Sequence, residues 1–286
     1  KRLEDRVALV TGAAQGIGAG VSRVLAEHGA TVILTDISEA VKTTAKEITD
    51  RGDKAESYRM DVTDTGEVNR VVEEVLGSHG KIDILVNNAG IYPRRKLVEM
   101  PEEFLMKMFE INVFGIFRCT KAVLPSMMER RYGKIINMSS VTGPMVGSPA
   151  GGQTAYASSK SAVHGFTVGL ALEVAQYGIN VNSIMPGYVH SPSAFGTRGA
   201  TGDRDEEGPA LECCQLSRGG YDGYVLDAHG AYHLGADLLV APPEDEALAS
   251  DHGDDYPRLL SLNELQELLL VRIGCDELPV EHHVDA

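Results

Sequence analysis

The sequence predicts an α/β fold, a doubly wound parallel sheet with helices on both faces, and two observations lead to this prediction. Short apolar runs of strand length alternate with longer helical segments through the first 193 residues, which is the pattern of consecutive βαβ units. A glycine-rich turn, residues 12–18, joins the first apolar run to the first helical segment. The composition, 43% hydrophobic and 23% charged, suits a globular domain with a sizeable core.

The first apolar run, residues 6–11, predicts a buried strand that leads into the glycine-rich turn. Strand, turn and helix in this order suit a phosphate, because glycines let the backbone approach a pyrophosphate and the helix N-terminus presents free N–H groups. A plain turn is the alternative, and a second strand at the expected distance favours the phosphate site. The predicted cofactor contacts in this turn are Gly12, Gln15, Gly16, Ile17 and Gly18.

The second predicted strand, residues 31–35, ends at Asp36, about 20 residues past the glycines. An acidic side chain at this place accepts hydrogen bonds from the adenine ribose hydroxyls and repels a 2′-phosphate. Ile37 adds no positive charge that would offset this repulsion. These two residues favour NAD over NADP as the cofactor. The alternative is that Asp36 caps the following helix.

The same alternation continues along the chain and predicts a sheet covered on both faces. Helices are expected over about residues 39–51 and 64–79, and strands over about residues 55–60 and 82–86. Asn87-Asn88-Ala89-Gly90 closes the fourth strand. Small residues and amides at this end of a strand suit a crevice in which the backbone passes close to a ligand, and a simple turn is the alternative. The basic loop over residues 92–96 is expected to be solvated unless it borders a substrate.

A long helical region is predicted over about residues 101–131, and Asn112 lies inside it. Its apolar positions are typical of core or subunit-interface packing. Asparagine is a poor residue for a helix interior and tends to interrupt the helical hydrogen bonds. Asn112 therefore either bends this helix or uses its amide to hold a water or a backbone carbonyl in a site.

A pair of serines and a Tyr-x-x-x-Lys pair follow. The fifth predicted strand, residues 134–140, ends in Ser139 and Ser140, at the edge where α/β sheets bind ligands. In the next predicted helix, Tyr156 and Lys160 lie four residues apart on one face. A lysine ammonium beside the phenol favours the phenolate and lowers its pKa from about 10. Such a pair can exchange a proton with an alcohol or carbonyl oxygen.

Together these elements resemble the short-chain dehydrogenase/reductase family, of the type with a Thr-Gly-x-x-x-Gly-x-Gly turn, over about residues 3–193. The matching elements are residues 11–18, Asp36, Asp61-Val62, residues 87–90, the set Asn112, Ser140, Tyr156 and Lys160, and residues 186–189, with Ser191 where the family often has threonine. The resemblance implies a Rossmann-type fold of three layers, α/β/α. It also implies an NAD-dependent oxidoreductase that moves a hydride between the cofactor and an alcohol or carbonyl, most similar to sugar- or polyol-type alcohol dehydrogenases.

The resemblance assigns a catalytic role to four residues. Tyr156 is the acid and base, and Ser140 holds the substrate oxygen. Lys160 holds the nicotinamide ribose and lowers the pKa of Tyr156, while Asn112 holds a water that relays the proton. The interval from Ser140 to Tyr156 looks longer than in many members, so Ser139 stays an alternative to Ser140.

The resemblance also implies cofactor contacts and an oligomeric state. The implied contacts beyond the turn and Asp36 are Asp61, Val62, Asn88, Ala89, Gly90, Tyr156, Lys160, Pro186, Gly187, Val189 and Ser191. Family members are usually dimers or tetramers through the helices after the fourth and fifth strands. A homo-oligomer is therefore expected.

The net charge of −15 divides the chain near residue 193. Residues 1–193 carry 21 basic and 21 acidic residues, whereas residues 194–286 carry 5 arginines, no lysine and 20 acidic residues. This acidic surplus argues against nucleic acid and anionic membranes as partners. We therefore expect an NAD-binding catalytic domain over residues 1–193 and an atypical acidic segment over residues 194–286.

The acidic segment lacks the Val-Asp-Gly-Gly-like last strand that the family normally has. It is a divergent substrate-covering region, the product of an altered reading frame, or an added interaction segment. A strand over residues 236–241 and an amphipathic helix over residues 259–273 are predicted within it. Because the substrate region is not recognisable, a cofactor-binding protein with little or no turnover is the competing functional class.

The sequence predicts no metal site, no membrane-spanning helix and no disulfide framework. The histidines of the acidic segment form no compact ligand set, so we predict no metal. The four cysteines, Cys119, Cys213, Cys214 and Cys275, are irregularly spaced, which does not suggest a disulfide framework. No apolar run approaches the roughly 20 residues of a membrane span, and no signal core follows the N-terminus. These observations predict a cytoplasmic protein.

Overall fold

The structure, a computed structural model, describes residues 1–144, 151–187 and 189, together with the backbone of two short strands. The strands are β1 Val7–Thr11, β2 Thr31–Asp36, β3 Ala55–Arg59, β4 Ile84–Asn87, β5 Gly133–Met138, β6 Ile179–Met185, β7 Tyr224–Leu226 and β8 Tyr232–His233. The helices are α1 Gly16–Glu27, α2 Val41–Thr49, α3 Thr65–His79, α4 Glu102–Phe109, α5 Gly115–Arg130 and α6 Thr154–Val174. Single 3₁₀ turns lie at Leu97–Glu99 and Ala175–Tyr177.

The strands form one sheet in the order β3-β2-β1-β4-β5-β6-β7-β8. The first six pair in parallel, and β7 and β8 extend the sheet in antiparallel. The chain crosses between β3 and β4, so the sheet reverses its winding between β1 and β4. Ligands of such sheets bind outside the carboxyl ends of the strands at this reversal. The predicted doubly wound parallel sheet is confirmed.

The core lies on both faces of the sheet because alternate residues of a strand point to opposite sides. Along β1, Ala8 and Val10 pack with buried residues of α1 and α2. Val7 and Leu9, which alternate with them, pack with buried residues of α3, α5 and α6. The fold therefore has the predicted three layers.

The end of β5 differs from the prediction by two residues. The predicted strand over residues 134–140 ends at Met138, so Ser139 and Ser140 follow the strand. Ser139 still donates its backbone N–H to the Ile184 carbonyl at 2.8 Å. Both serines are buried, with 4% and 7% of their surface exposed. They consequently stand at the carboxyl edge, where the prediction put them.

The predicted helical region over residues 101–131 is present and is interrupted once. A π-helical segment, Glu110–Phe114, separates α4 from α5, and the fully buried Asn112 lies within it. A π segment widens the helix by one residue, and such segments are frequent at functional sites. Of the two alternatives for Asn112, the structure therefore shows the interruption of the helix, and its amide contacts are described below.

Some predictions concern parts of the chain outside the described residues. These are Tyr188, Ser191, the strand over residues 236–241, the helix over residues 259–273 and the histidines of the acidic segment. Across residues 1–144 and 151–187, no helix has the length and hydropathy needed to cross a membrane. The same part of the chain holds no group of three or more side chains suited to a metal ion.

Candidate active site

The glycine-rich turn is packed so closely that side chains would not fit at two of its positions. A Cβ atom on Gly18 would lie 2.2 Å from the carbonyl oxygen of Gly12 and 2.5 Å from Asn88 Nδ2. A Cβ atom on Gly12 would lie 2.8 Å from the Cα atom of Ala89. Gly12 also has a φ of 64°, which disfavours a side chain. The turn is consequently held in close contact with the segment that follows β4.

Helix α1 begins immediately after this turn. Gln15 is its N-cap residue, with extended backbone angles, and no side chain caps the first N–H groups. Uncapped N–H groups and the positive end of the helix dipole attract a phosphate. A glycine-rich turn followed by an uncapped helix therefore fits the pyrophosphate of a dinucleotide, at the strand reversal between β1 and β4.

Thr11 fixes the segment after β4 against this turn. Its Oγ1 accepts hydrogen bonds from the backbone N–H groups of Asn88 and Ala89, both at 3.0 Å. Asn88 Nδ2 in turn donates to the carbonyl oxygens of Thr11 and Gly12, also at 3.0 Å. The sequence prediction named Asn88 and Ala89 but gave no separate role to Thr11, whose only signal was its place at the start of the glycine motif.

Asp36 faces the turn rather than the next helix. One carboxylate oxygen accepts from the backbone N–H of Ala14 at 3.0 Å, and the other accepts from that of Ser38 at 2.8 Å. Helix α2 begins at Val41 and has Ala40 as its N-cap residue. The alternative that Asp36 caps this helix is therefore wrong. The exposed Ile37 lies beside it, with 58% of its surface accessible.

The carboxyl end of β3 is occupied by local contacts. Asp61 Oδ1 accepts from both the backbone N–H and the hydroxyl of Thr63, at 2.8 and 2.7 Å. The Val62 side chain is 8% exposed and belongs to the core on the α3 side of the sheet. A contact of these two residues with adenine stays a prediction.

Tyr156 and Ser140 meet at the carboxyl edge of β5. The Ser140 side chain lies beside the Tyr156 phenol and favours its phenolate, and Ser140 Oγ accepts from the backbone N–H of Thr142 at 3.1 Å. Ser139, in contrast, donates its hydroxyl to the backbone carbonyl of Lys160 at 2.8 Å. The geometry therefore favours Ser140 over Ser139 as the serine beside the phenol.

Lys160 lies deep in this site. Its Nζ donates to the carbonyl oxygen of Met138 at 2.6 Å and lies 5.8 Å from the centre of the Tyr156 ring. Burial lowers the pKa of Lys160 to about 8, because the charged ammonium loses its hydration. Gly90 lies beside the lysine, and a Cβ atom there would be 3.7 Å from Nζ and 3.2 Å from Asn112 Oδ1.

The pKa of Tyr156 differs from the sequence prediction. Burial of the phenol raises its pKa, and the neighbouring Ser140 side chain opposes this by favouring the phenolate. The Lys160 ammonium binds the Met138 carbonyl and does not contact the phenol oxygen, so it does not produce the predicted lowering. In the protein alone, the phenol is therefore the protonated form at neutral pH.

Asn112 connects three parts of the site. Its Oδ1 accepts from the backbone N–H of Ile91 at 2.8 Å, and its Nδ2 donates to the Ile91 carbonyl at 2.9 Å. The same Nδ2 lies 3.1 Å from Ser159 Oγ, on the helix of Tyr156. Of the two possibilities for this amide, the structure has it holding a backbone carbonyl. The water expected from the resemblance stays a prediction.

Tyr92 is a site neighbour that sequence reasoning missed. Its ring meets the Tyr156 ring edge to face, with centroids 6.4 Å apart and planes at 75°. No periodic pattern marks it, because it lies in the loop after β4. Its position two residues past the Asn-Asn-Ala-Gly motif was the available signal.

Residues after β6 complete the described edge. The Pro186 carbonyl accepts from the backbone N–H of Val141 at 3.2 Å, which ties this segment to the one that carries Ser140. Val189 is 8% exposed, and Gly187 lies between them. Contacts of Pro186, Gly187 and Val189 with a nicotinamide stay predictions, and Ser191 lies outside the described residues.

Burial of Lys160 has a measurable consequence for stability. Between the folded pKa of about 8 and the ordinary 10.5, the unfolded chain binds more protons than the folded one. The free energy of unfolding should therefore rise with pH across this window, by about 3 kcal/mol for the observed shift. We expect the Lys160→Met variant to lack that rise when urea midpoints of both proteins are compared from pH 7 to 10.5. Parallel curves for the two proteins would contradict the burial of a charged lysine.

Comparisons with known proteins agree with this arrangement. The family model described as short chain dehydrogenase matches residues 6–199. The chain is 48% identical over 193 residues to oxidoreductase UcpA of Salmonella typhimurium, which covers 68% of this chain and 73% of the relative. It is 44% identical over 192 residues to the 3-oxoacyl-[acyl-carrier-protein] reductase FabG of Thermotoga maritima, which covers 67% and 77% of the two chains.

Solved structures give the same result for the fold. The crystal structure of gox2181 superposes with a TM-score of 0.66 and 38% identity, covering 69% of this chain and 78% of that one. A short-chain type dehydrogenase/reductase from Mycobacterium marinum superposes with a TM-score of 0.64 and 36% identity, covering 66% and 75%. This chain is an oxidoreductase of the short-chain dehydrogenase/reductase family, which implies a nicotinamide cofactor, NAD or NADP.

Proposed function

We propose that this chain is an NAD-preferring oxidoreductase that interconverts a small alcohol and the corresponding carbonyl compound. The observation that carries the proposal is the placement of the Tyr156 phenol beside Ser140 and the buried Lys160, next to the glycine turn. A phenol and a hydroxyl at one point can both bind a single substrate oxygen. The names of the relatives, an oxidoreductase and a 3-oxoacyl reductase, support redox chemistry at such an oxygen.

Tyr156 exchanges the proton in this mechanism. The nicotinamide ring supplies or accepts the hydride when it is bound. The raised pKa of Tyr156 keeps the phenol protonated, so it is suited to donate a proton to a carbonyl oxygen. Ser140 donates its hydroxyl to the same oxygen and thereby orients the substrate. In the opposite direction, the phenolate form of Tyr156 accepts the alcohol proton.

Lys160 and Asn112 support the proton exchange by Tyr156 without binding the substrate oxygen themselves. A lysine with a pKa of about 8 is mostly protonated at pH 7 and can give its remaining N–H groups to ribose hydroxyls. Asn112 binds both polar backbone groups of Ile91, which holds the loop after β4 against the helix of Tyr156. The amide keeps the two walls of the site at a fixed distance.

The preference for NAD rests on the carboxylate of Asp36. It is already oriented by Ala14 and Ser38, and it would repel a phosphate on the adenine ribose. Arg59 on the neighbouring strand is paired with Glu67 at 3.0 Å, so it is a poor partner for such a phosphate. Asp61, Val62, Asn88, Ala89, Gly90 and the residues after β6 are proposed as further cofactor contacts.

The cofactor test is thermal unfolding of the full chain with NADH, with NADPH and with neither. A ligand that binds only the folded state stabilises it by about 2.7 kcal/mol at a hundredfold excess over its dissociation constant. We expect this stabilisation with NADH and a much smaller one with NADPH. Asp36→Ser should reduce the difference, whereas Asp50→Ser, at an exposed pair with Lys46, should leave it unchanged. Equal stabilisation by both cofactors in the wild-type protein would refute the Asp36 assignment.

The same protein should oxidise members of an alcohol panel with NAD. Stabilisation by NADH without turnover of any alcohol or carbonyl would instead support the competing class, a cofactor-binding protein without activity. We further propose that residues 1–193 form the catalytic unit and that the chain acts in the cytoplasm as a homo-oligomer. Exposed apolar side chains near the α4–α5 junction support association, namely Met106, Phe114 and Phe117.

A further inference from the structure

The loop over residues 92–96, called the basic loop below, borders the site at two points. At its start, the Tyr92 ring contacts the Tyr156 ring. Further along, the backbone N–H of Arg95 donates to the carbonyl oxygen of Gly152 at 2.8 Å. Gly152 lies four residues before Tyr156. The basic loop therefore runs along the segment from which the helix of Tyr156 begins.

The three basic residues of this loop, Arg94, Arg95 and Lys96, differ in their contacts. The Arg95 guanidinium lies 5.5 Å from the centre of the Phe104 ring and donates to the Glu99 carbonyl at 3.4 Å. Lys96 precedes the 3₁₀ turn and is exposed. Arg94 is exposed as well, and within the described part of the chain its side chain has no hydrogen bond or ion pair.

Arg94 is also the cation beside the start of the catalytic helix. A Cβ atom on Gly152 would lie 3.6 Å from Arg94 Cβ and 3.4 Å from backbone atoms of Arg95. The acidic residues that follow the loop are Glu99, Glu102 and Glu103. In the described residues none of them forms an ion pair with the loop. The positive charge at this side of the site is therefore not neutralised by its own neighbours.

We propose that the substrate is an anionic hydroxy or oxo compound, with a carboxylate or phosphate group held by Arg94 while its reacting oxygen lies at Tyr156. This inference rests on the proposed function. A guanidinium presents paired N–H donors that match a carboxylate or a phosphate. Tyr92 lies two residues before Arg94 in the basic loop and packs on Tyr156, so it lines the path that the substrate body takes.

The acidic segment, residues 194–286, is another source of negative charge that Arg94 can attract. The two possible partners of Arg94, a substrate anion and this segment, lead to different expected results for neutral substrates. If Arg94 holds the segment, its replacement changes the binding of charged and neutral compounds alike. If Arg94 holds the substrate, only the charged compounds are affected.

The test uses hydroxy acids with the hydroxyl on the second, third or fourth carbon, each beside its methyl ester. Binding to the full chain is measured by titration calorimetry with NADH present and absent, and turnover is measured separately. We expect the best acid to bind about tenfold to a hundredfold more tightly than its ester, as expected for hydrogen bonds to a charged group. Arg94→Gln should abolish this difference, and Arg94→Lys should retain part of it.

Arg51→Gln is the matched control, because Arg51 is a 57% exposed arginine that precedes β3 at the opposite edge of the sheet. It should keep the preference for acids. Equal binding of acids and esters by the wild-type protein would overturn the inference. An equal loss of affinity for acids and for esters in Arg94→Gln would overturn it as well. Turnover of esters as fast as acids, with equal binding, would leave the oxidoreductase proposal intact. Binding of acids without turnover of any compound would instead count against that proposal alone.

Discussion

Replacing Tyr156 with phenylalanine should lower turnover by about 10²–10⁴-fold, the usual contribution of a positioned acid–base group, with little change in NADH binding. The phenol oxygen is the group that exchanges the proton, and Phe keeps the ring that packs on Tyr92. The measurements are kcat by NADH absorbance and the NADH dissociation constant by fluorescence titration. Because the phenol is buried beside Ser140, the deletion removes one oxygen without opening the core.

Tyr58→Phe is a matched control for this change. Tyr58 lies on β3, where its hydroxyl donates to Glu56 Oε2 at 3.2 Å near the surface. Loss of that hydroxyl should leave both kcat and NADH binding as they are in the wild-type protein. Normal turnover in Tyr156→Phe would refute the catalytic assignment. A loss of NADH binding equal to the loss of turnover would mean that Tyr156 acts mainly in holding the cofactor.

The succession of strands and helices along the chain was predictable, because each element depends on a short stretch of sequence. Alternating apolar runs set the strands, and the spacing of Tyr156 and Lys160 put them on one helix face. An interruption at Asn112 was one of two alternatives, since asparagine inside a helix competes with the helical hydrogen bonds, but the π form of the interruption was not predicted. Short stretches of sequence therefore predict most of the fold and most of the proposed catalytic residues.

The contacts that were not predictable join residues far apart in the chain. The binding of the Lys160 ammonium to the Met138 carbonyl depends on how α6 docks on β5, and this docking is not encoded in any one stretch. It changed the expected effect of Lys160 on the pKa of Tyr156. The contact of Tyr92 with Tyr156 likewise depends on a loop whose course is set by Asn112 and Gly152.

The second large effect is expected at Gly18, where a single added methyl group tests the cofactor turn. A Cβ atom there would lie 2.2 Å from the Gly12 carbonyl oxygen, so Gly18→Ala must displace the backbone of the turn or the start of α1. Overpacking of this kind costs about 1–3 kcal/mol of stability. We expect the displaced N–H groups to lower NADH affinity more than tenfold, because phosphate binding at a helix N-terminus depends on their direction.

Gly77→Ala separates a local clash from a general effect of replacing a helical glycine. Gly77 lies in α3, and no atom would lie within 4 Å of its added Cβ. Alanine should stabilise this helix by about 1 kcal/mol and leave NADH binding unchanged. Urea unfolding and NADH fluorescence titration of both variants provide the comparison. Unchanged NADH affinity in a folded Gly18→Ala protein would mean that the pyrophosphate does not lie on this turn. The cofactor would then have to enter the sheet edge elsewhere, and the roles proposed for Asp36 and Lys160 would fail with it.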